Sequence, residues 1–478
     1  MVIGLEVHAQ LLTTTKLFGG ASTAFGASPN SQVDAVSLGL PGALPVLNRE
    51  AVRLAAIAGF ATGCTVHPRS IFARKNYFYA DLPKGYQISQ FDRPICTEGL
   101  VNVRVDGEDQ PVRLTRIHME EDAGKSSHGA LGSLVDLNRA GVPLIEIVSE
   151  PDIRSPEQAV AYLKELRAIL MYAGVNDGSL EQGSFRCDAN VSVRRIGQSA
   201  LGTRCELKNL NSFRGIRDAI IFEANRQVRR IEAGEAVIQQ TRLWNVDRGR
   251  TEAMRGKEQA HDYRYVPDPD LPPLLISDAQ LTAWQNDVPE LPASRRDRYA
   301  QELQLDEEAV WFLCEEPERA RRYEAMLANE RAPKRAKSVA SFLTARISGA
   351  LNRTERTWSE VDAVLPALAE VHDQWRQGLL SNKMLSEILS ETFDGDSPLA
   401  DRLTSARARV GVIEQDTEAL QNTISAVLAA HPTQLAAYRG GKQQLFGFFM
   451  GQVMKAMKGK ANAKDASASL RTALNADD

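Results

Sequence analysis

The sequence has few cysteines, and none of them is arranged as a metal knuckle or a disulfide framework. Five cysteines are scattered over 478 residues without a CxxC pair, so neither structural zinc nor a disulfide-rich fold is expected. No apolar run approaches the ~18 residues that a membrane span needs. The first residues show neither the basic nor the apolar part of a signal peptide. We therefore expect a cytoplasmic protein in a reducing compartment, without membrane association.

An excess of charge of one sign is also lacking. Lys and Arg total 57 and Asp and Glu total 61, for a net charge of -4, so any basic surface for nucleic acid must be local. The composition, 43% hydrophobic and 25% charged, is that of a folded globular protein rather than a disordered one. A chain about three times the usual ~150-residue domain length is expected to form several domains.

Three regions differ in their sequence pattern. Residues 1–292 show short alternating stretches broken by Gly, Pro and Asp, with occasional helical periods. After a proline-dense stretch, residues 293–405 are rich in Arg, Glu, Ala and Leu at helical spacing. A turn-rich break at 394–398 predicts that residues 406–478 form a separate helical tail. The predicted fold class is α+β, with a large mixed-sheet domain, an all-α domain and a small helical tail domain.

Polar residues alternate with apolar ones in the first predicted strand. Between residues 3 and 11, Glu6, His8 and Gln10 share one parity and the apolar residues share the other. A half-buried edge strand with its polar side in water would explain this segment as well as a reactive face would. Both interpretations stay open on this strand alone.

A single carboxylate, Glu146, interrupts the apolar run 142–148. A buried charge without compensation is costly, so Glu146 needs a partner, either an arginine or a metal or substrate. The segment 116–122 follows a predicted hairpin and carries Glu120 and Glu121, which must point to opposite faces. Such acidic strand ends are usually solvated, but beside a histidine-bearing strand they suit a hard divalent cation.

Polar faces recur in later strands. The alternating polar residues are Asp188, Asn190, Ser192 and Arg194 in one strand and Arg204, Glu206 and Lys208 in the next. A sheet with one charged face suits a phosphate-bearing substrate together with a metal. The aromatic and basic segments 74–79, 84–87 and 261–265 could stack on bases and hold phosphates, although core packing explains their tyrosines equally well.

Long sequence stretches along the whole chain closely resemble those of the B-subunit family of the aspartyl/glutamyl-tRNA amidotransferases. The first is IGLEVH at residues 3–8, and the word ELKNLNSF at 206–213 is far more specific than any short motif. The other matching stretches are 40–48, 74–90, 118–127, 136–151, 185–193, 261–269 and 451–462.

The resemblance implies a ligase that corrects misacylated tRNA within a heterotrimer. This subunit would use ATP to phosphorylate the side-chain carboxylate of glutamyl-tRNA(Gln) or aspartyl-tRNA(Asn), and ammonia would then displace the phosphate. An amidase-type glutaminase subunit would supply the ammonia, and a small third subunit would join the two. The sequence does not decide which tRNA is the substrate. The alternative is a non-catalytic scaffold that docks tRNA in the same kind of complex. A self-contained enzyme is not expected, because no glutaminase nucleophile is recognisable.

Carried over residue by residue, the resemblance places catalysis and a Mg2+ site at Glu6, His8, Glu121 and Glu146, with Glu120 in a supporting position. Mn2+ is an alternative ion, because histidine is a softer ligand than Mg2+ prefers. Contacts to ATP and to the acyl-tRNA end, or to the incoming ammonia, are expected from eight further residues. These are Lys75, Tyr77, Lys84, Asp188, Asn190, Arg204, Glu206 and Lys208.

Two further expectations concern the ends of the chain. Many family members hold zinc with CxxC-like elements, but the corresponding stretches 18–21 and 34–37 carry no thiol here, so structural zinc is not expected. Residues 431–478 contain seven Lys or Arg against three Asp, which predicts that the tail binds the tRNA body. A solvated helical end is the alternative.

Overall fold

The computed structural model describes residues 1–129, 132–254, 263–328, 330–413, 417–457, 461 and 463–475. The chain divides into two compact units. The first comprises Met1–Arg295 with Glu315–Pro317, and the second comprises Arg296–Cys314 with Glu318–Asp478. Within the described residues, no helix has the length and apolar character needed to cross a membrane.

The described strands all lie in the first unit. In chain order they are β1 (Val2–Gln10), β2 (Thr65–Val66), β3 (Arg69–Ser70), β4 (Phe72–Asn76), β5 (Tyr86–Gln90), β6 (Cys96–Val105), β7 (Glu108–Glu121), β8 (Lys125–Gly129), β9 (Gly132–Asp136), β10 (Pro143–Ser149), β11 (Phe185–Ser192), β12 (Cys205–Leu210), β13 (Gln240–Asn245), β14 (Arg250–Ala253), β15 (Val266–Pro267) and β16 (Leu274–Leu275).

Nine of these strands form one sheet in the order β14-β13-β12-β11-β1-β10-β7-β6-β2. The pairing of β12 with β13 is parallel, and the pairings of β1 with β10 and β11 are antiparallel, so the sheet is mixed. β6 and β7 form the predicted hairpin, with Val105 opposite Glu108. A smaller sheet, β15-β4-β5, packs beside β7. The small sheet therefore lies next to β7, which pairs with the central strand β10 of the large sheet.

The helices described between Met1 and Arg295 are α1 (Arg49–Ala61), α2 (Pro156–Tyr172), α3 (Phe213–Glu232), α4 (Asp278–Asn286) and the start of α5 (Pro292–Gln301). The start of α2 is encoded locally. The Ser155 side chain accepts a hydrogen bond from the Gln158 backbone N–H at 3.0 Å, and Pro156 occupies the first helical turn. Helices α1, α2 and α3 pack on the sheet and cover its apolar face.

The two faces of β1 differ in burial as the alternation predicts. Leu5, Val7 and Ala9 are at most 1% exposed and belong to the core of the first unit. Glu6 and His8 are only partly buried. Helices α1, α2 and α3 pack on the large sheet, and Glu6 and His8 lie on the opposite face of β1 from its buried apolar residues. The predicted fold class, a large mixed sheet followed by helices, is confirmed.

The second unit is helical. Its elements after α5 are α6 (Glu307–Cys314), α7 (Pro317–Leu327), α8 (Pro333–Ser341), a π-helical turn (Phe342–Ile347), α9 (Ser348–Thr354), α10 (Trp358–Val361), a 3-10 turn (Asp362–Val364), α11 (Leu365–Arg376), α12 (Asn382–Phe393), α13 (Leu399–Val410), α14 (Thr417–Ala430), α15 (Pro432–Arg439), a 3-10 turn (Gln443–Leu445), α16 (Phe446–Ala456) and α17 (Ala463–Asn475).

Two apolar clusters lie in the second unit, one from Tyr299 to Ile413 and one from Leu420 to Leu474. The expected boundary at 292 falls at the start of α5. The expected boundary after 405 falls inside α13, and Ile413 still packs in the earlier cluster. The turn at 394–398 therefore begins a helix of that cluster. The division into three domains stays a prediction.

Candidate active site

Three neighbouring strands bring histidines and carboxylates together on the polar face of the large sheet. His8 on β1 lies opposite Glu146 on β10, and Glu146 lies opposite His118 on β7. Directly opposed residues in antiparallel strands project from the same face. Glu120, two residues beyond His118, shares that face as well. His118 was not among the predicted site residues.

The four side chains are in contact. His8 Nε2 lies 3.3 Å from Glu146 Oε2 and 3.7 Å from Glu120 Oε1. His118 Nε2 lies 3.5 Å from Glu146 Oε2 and 3.7 Å from Glu120 Oε2. One ligand atom each from His8, Glu120 and Glu146 lie within 4.8 Å of one another. This is the spacing of ligands around a single ion.

The protonation states of this group follow from its packing. Burial alone would lower the pKa of His8, but the hydrogen bond and charge of Glu146 and the charge of Glu120 raise it to about 9. Burial raises the pKa of Glu146, whereas the charges of His118 and His8 lower it well below the usual range. Burial likewise opposes ionisation of Glu120, but His118 holds its pKa below the ordinary value. Two carboxylates are thus held ionised beside a cationic ring.

Glu6 and Glu121, both predicted as metal ligands, lie outside this three-residue group within the described chain. Glu121 has the opposite parity to Glu120, and its carboxylate accepts hydrogen bonds from Lys84 Nζ and, at 2.9 Å, from the Ile88 backbone N–H. The structure therefore brings Glu120, the expected supporting residue, to the position that was expected for Glu121. Neighbouring strand residues cannot both reach the same ion.

Glu6 lies two residues before His8 on the same face. It faces Asp188 across the pairing of β1 with β11 and accepts a hydrogen bond from Asn190 Nδ2 at 2.9 Å. Burial raises the pKa of Glu6, and the neighbouring charges of Glu146, Glu206 and Asp188 raise it further. Glu6 therefore extends the carboxylate-rich surface toward β11 and β12.

Lys208 neutralises part of that surface. Its Nζ lies 2.5 Å from Asp188 Oδ2 and 2.7 Å from Glu206 Oε1. Burial lowers the pKa of Lys208, but the charges of Asp188 and Glu206 raise it above the ordinary range. Thr241 Oγ1 donates to Glu206 Oε2 at 2.7 Å. The predicted residues Asp188, Glu206 and Lys208 thus form one network.

A cleft of about 380 Å³ opens beside this network. Its polar lining consists of Glu6, Ser149, Asn190, Ser192, Thr203, Arg204 and Gln239. Arg204 is exposed at the cleft and has no hydrogen-bond partner among the described residues. The cleft ends at Glu6, two residues from His8, so a small molecule in it would lie next to the histidine–carboxylate group.

The small sheet contributes a cation and tyrosines. Lys75 Nζ on β4 lies 4.8 Å from the centre of the Tyr263 ring and 5.9 Å from the centre of the Tyr77 ring. Burial lowers the pKa of Lys75, but the charges of Glu120 and Glu146 contribute to a net rise. Tyr77 donates its hydroxyl to Gln87 Oε1 at 3.2 Å. The predicted residues 261 and 262 lie outside the described residues.

Two residues at the opposite edge of the site were not predicted. Asp122 is buried and accepts hydrogen bonds from Gln10 Nε2 at 2.9 Å and from an Arg186 Nη at 2.8 Å. Arg186 on β11 lies opposite His8. Its parity is that of Asp188, so extending the alternation by one step would have included it.

The stretches 18–21 and 34–37 are joined through a carboxylate. Asp34 accepts hydrogen bonds from the Ala21 backbone N–H at 3.0 Å and from the Ser37 backbone N–H and hydroxyl, both at 2.8 Å. A Cβ at Gly19 would lie 2.0 Å from Asp34 Oδ2, so a larger residue there would displace the Asp34 carboxylate from these hydrogen bonds. Lys16 Nζ donates to Ser37 Oγ at 3.3 Å and extends the network to a buried ammonium.

Comparison with known proteins covers nearly the whole chain. The family model described as "GatB/GatE catalytic domain" matches residues 1–282, and that described as "GatB domain" matches residues 323–474. Curated relatives, each named as the B subunit of an aspartyl/glutamyl-tRNA(Asn/Gln) amidotransferase, are similar along their full length. The relative from Anaeromyxobacter sp. (strain K) is 51% identical over 99% of this chain and 98% of its own. That from Geobacter sp. (strain M21) is 50% identical over 97% and 96%, respectively.

Proposed function

Because the chain belongs to the family of B subunits of the aspartyl/glutamyl-tRNA(Asn/Gln) amidotransferase, we propose that the polar face of its large sheet activates the side-chain carboxylate of misacylated tRNA. The chain is the ATP-dependent activating subunit of a glutamine-dependent ligase. The catalytic residues and the metal are proposed from the chemistry of the site, and the partner subunits from the family to which the chain belongs.

The proposed reaction has two steps. A carboxylate oxygen of the aminoacyl group attacks the γ-phosphorus of ATP, and the bond to the bridging oxygen breaks, leaving its electron pair on ADP. Ammonia then attacks the carbonyl carbon of the acyl phosphate, and the carbon–oxygen bond breaks with its electron pair on phosphate. One ammonia proton leaves with the phosphate, so the products are the amide, ADP and hydrogen phosphate. Both steps concentrate negative charge on phosphoryl oxygens and therefore need nearby cations.

The donor set formed by His8, Glu120 and Glu146 fits a divalent cation. Two ionised carboxylates and one imidazole lie within 4.8 Å of one another, and three protein ligands leave coordination positions for water and phosphate oxygens. Mg2+ accepts the carboxylates, and the imidazole makes Mn2+ an alternative. When bound, the ion neutralises phosphate charge and aligns the oxygens for in-line transfer.

The close grouping of His8, Glu120 and Glu146 is the observation that supports an enzyme rather than a docking scaffold. Glu120 is almost fully buried, and the Glu120 and Glu146 carboxylates both lie within 4 Å of His8 Nε2 and His118 Nε2 on the polar face of the sheet. Holding two ionised carboxylates close together opposes folding unless a cation compensates. A surface that only docked tRNA would gain nothing from this arrangement.

The surrounding residues are assigned by their chemistry. Lys75 carries a positive charge beside Glu120 and Glu146 and lies over the Tyr263 ring, so it suits the phosphates, with tyrosines available to stack on a base. The cleft lined by Glu6 and Asn190 is proposed to admit ammonia. An amidase-type glutaminase subunit and a small third subunit are the proposed partners, and the tail is proposed to hold tRNA(Gln) or tRNA(Asn).

Substitution of Glu146 tests the proposal. In the complex reconstituted with the glutaminase and third subunits, Glu146→Gln should lower ATP-dependent amide formation by at least ~10²-fold, because it removes a ligand of the ion. The exposed Glu108→Gln, at the far hairpin of β6 and β7, is the control and should retain wild-type turnover. Glutamine or ammonium chloride serves as donor, and the amino acid released from tRNA is analysed. Wild-type turnover of Glu146→Gln with either donor would contradict the assignment.

A further inference from the structure

Arg186 is a cation at the active site that the proposed metal and nucleotide contacts do not use. It lies opposite His8 in the pairing of β1 with β11, on the side of β1 away from Glu146. Its side chain is 33% exposed, so it is largely buried but still reachable. His8 is therefore flanked by the anionic Glu146 on one neighbouring strand and the cationic Arg186 on the other.

The guanidinium is held from one end. One terminal nitrogen donates to Asp122 Oδ2 at 2.8 Å, and Asp122 also accepts a hydrogen bond from Gln10. The Arg186 Nε is buried and has no hydrogen-bond partner among the residues that the structure describes. A buried N–H without an acceptor is costly. The anchored end fixes the plane of the group, and the third of the side chain that is exposed is available to a ligand.

The charges around Arg186 limit which ligands its guanidinium can bind. Glu120, Asp122 and Asp188 all act electrostatically on the guanidinium, so its own surroundings are acidic. Asp122 is the anion that holds it, and Glu120 belongs to the proposed metal group. A further anion could enter only where a metal ion screens these carboxylates. A phosphoryl group bound to that ion meets this condition.

We propose that Arg186 is a catalytic residue that binds the phosphoryl group during its transfer from ATP to the aminoacyl carboxylate. This inference rests on the proposed function. In the transfer, the carboxylate oxygen forms a bond to the γ-phosphorus as the bond to the β,γ-bridging oxygen breaks, and the electron pair of that bond goes to ADP. The γ-phosphoryl oxygens stay anionic throughout. Arg186 donates hydrogen bonds to them from the side of β1 opposite Glu146; His8, Glu120 and Glu146 would hold the ion that supplies further positive charge.

A planar guanidinium is suited to this task. Its N–H groups lie in a fixed fork that matches phosphate oxygens, whereas a lysine ammonium is a point charge. An arginine that contacts a phosphoryl group in transfer typically contributes about 10³-fold or more to the rate. Lysine at 186 could still pair with Asp122, but it would lack the fork. Arg186→Lys therefore separates the contribution of the fixed N–H geometry from that of the positive charge.

The experiment compares the reconstituted complex carrying Arg186→Lys with wild type. ADP and Mg2+ are titrated with and without fluoroaluminate, which mimics a phosphoryl group in transfer, and amide formation is followed in parallel. For R186K we expect an ADP dissociation constant within about threefold of wild type, loss of the tightening that fluoroaluminate causes, and a kcat lower by about 10³-fold with little change in the KM for ATP. The control is Arg113→Lys on β7, where the exposed guanidinium pairs with Asp152, and it should behave as wild type in both measurements.

Two results would overturn the proposal. One is a kcat for R186K within about fivefold of wild type with tightening by fluoroaluminate retained. The other is an equal loss of ADP affinity and kcat, which would assign Arg186 to nucleotide binding or to folding. R186K decides the test because Arg186→Ala would leave the buried Asp122 without its nearest cation. A wild-type complex that neither binds ADP with Mg2+ nor forms amide would contradict the proposed function instead, whatever residue 186 is.

Discussion

His8 Nε2 lies 3.3 Å from Glu146 Oε2, across the antiparallel pairing of the first strand with a strand that follows it by more than a hundred residues. The strand pairing determines this contact, because opposed residues share a face of the sheet. The partner of the half-buried Glu146 carboxylate is thus histidine from both sides, His8 and His118, rather than arginine. Imidazoles can exchange a proton for a metal ion, whereas guanidinium cannot.

Adjacent glutamates of β7 should separate metal binding from stability. Glu120→Gln removes a carboxylate from the group with His8 and Glu146, so we expect Mn2+ affinity to fall by at least ~10²-fold, as measured by spin resonance. Glu121→Gln should leave that affinity within about threefold. It removes the charge paired with Lys84 in an ion pair whose side chains are 7% and 3% exposed, which should cost about 3 kcal/mol in denaturant unfolding.

The two variants give a clear test because Glu120 and Glu121 are neighbours on β7 whose side chains project from opposite faces. Loss of Mn2+ binding in Glu121→Gln together with its retention in Glu120→Gln would show that Glu121 is the ligand. In that case the hydrogen bonds of Glu121 with Lys84 and the Ile88 backbone N–H would have to break when the ion binds.

Glu6 should act on the second chemical step. Its carboxylate lines the cleft with Asn190 and lies outside the three-residue group at His8. We therefore expect Glu6→Gln to lower amide formation by about 10²-fold, because it removes a group that can orient ammonia or take its proton. Phosphate release from ATP in the presence of misacylated tRNA should persist, since water can replace ammonia as the nucleophile.

Measuring phosphate and amide in the same reaction tests this separation. Asn190→Ala is the matched control, because it removes the hydrogen-bond donor of Glu6 but leaves the carboxylate, and it should cause a smaller loss of amide. Equal losses of phosphate release and amide in Glu6→Gln would place Glu6 in the activating step instead.

The part of the site that follows from local pattern could be predicted. Alternation placed Glu6 and His8 on one face of the first strand, because the period of a strand forces side chains onto two faces. The lone carboxylate in the apolar run 142–148 pointed to Glu146, and the roles of all three stay predictions. Alternation could not decide between Glu120 and Glu121. It places the two side chains on opposite faces of β7 but does not show which of those faces continues the polar face of β1. That depends on the register of β7 with β10, which joins segments distant in sequence.

Long-range contacts explain the remaining differences. Asp122 directly follows β7, Arg186 lies on β11, and the two are 64 residues apart in sequence. They meet only because β7 and β11 flank the central strands β1 and β10. The start of α2 was predictable because its cap uses residues within one turn. The turn at 394–398 looked like a domain boundary, but the helix after it, α13, packs back into the same cluster. A turn signal does not specify where the next helix packs.

The tail should provide salt-dependent tRNA affinity. Lys442 and Lys455 are exposed in the segment that carries the last apolar cluster. Replacing both with alanine should weaken tRNA binding and make the slope of log K against log salt shallower by about 0.9 for each duplex phosphate that is no longer neutralised. ADP affinity should not change. Lys383→Ala, on the exposed face of α12, is the control, and a salt slope unchanged in the double variant would contradict tRNA binding by these two lysines.

His372 should make the stability of the helical unit depend on pH. The ring is fully buried, with Nε2 2.9 Å from Ser338 Oγ and Nδ1 3.3 Å from Asp373 Oδ1, and it packs between Phe342 and Trp375. Burial lowers the pKa of His372, and the positive charges of Arg335 and Arg376 lower it further, against the opposing effect of Asp373. The neutral ring is therefore the form that the fold accommodates.

The sign follows from proton linkage. Because the folded pKa is below the unfolded value of about 6.5, the unfolded chain binds more protons, and stability falls as the pH drops below about 6.5. The slope from one such group is at most about 1.4 kcal/mol per pH unit. Asp373, whose pKa burial raises but Arg335 and His372 lower to below 3.8 on balance, acts only at more acidic pH. Protonation of His372 and protonation of Asp373 thus change stability over separate pH ranges.

Hydrogen exchange of the full chain measures this effect locally. Peptides covering Leu365–Arg376 should lose protection between about pH 6.5 and 5, after correction for the intrinsic pH dependence of exchange, by up to about tenfold per pH unit. His372→Gln cannot be protonated, so it should be less protected at about pH 8 but show a flat dependence over the same range. His67→Gln, whose ring contacts Thr97 in the first unit, should reproduce the wild-type slope in these peptides. A slope in His372→Gln as steep as in wild type would assign the acid sensitivity of this unit to its carboxylates rather than to His372.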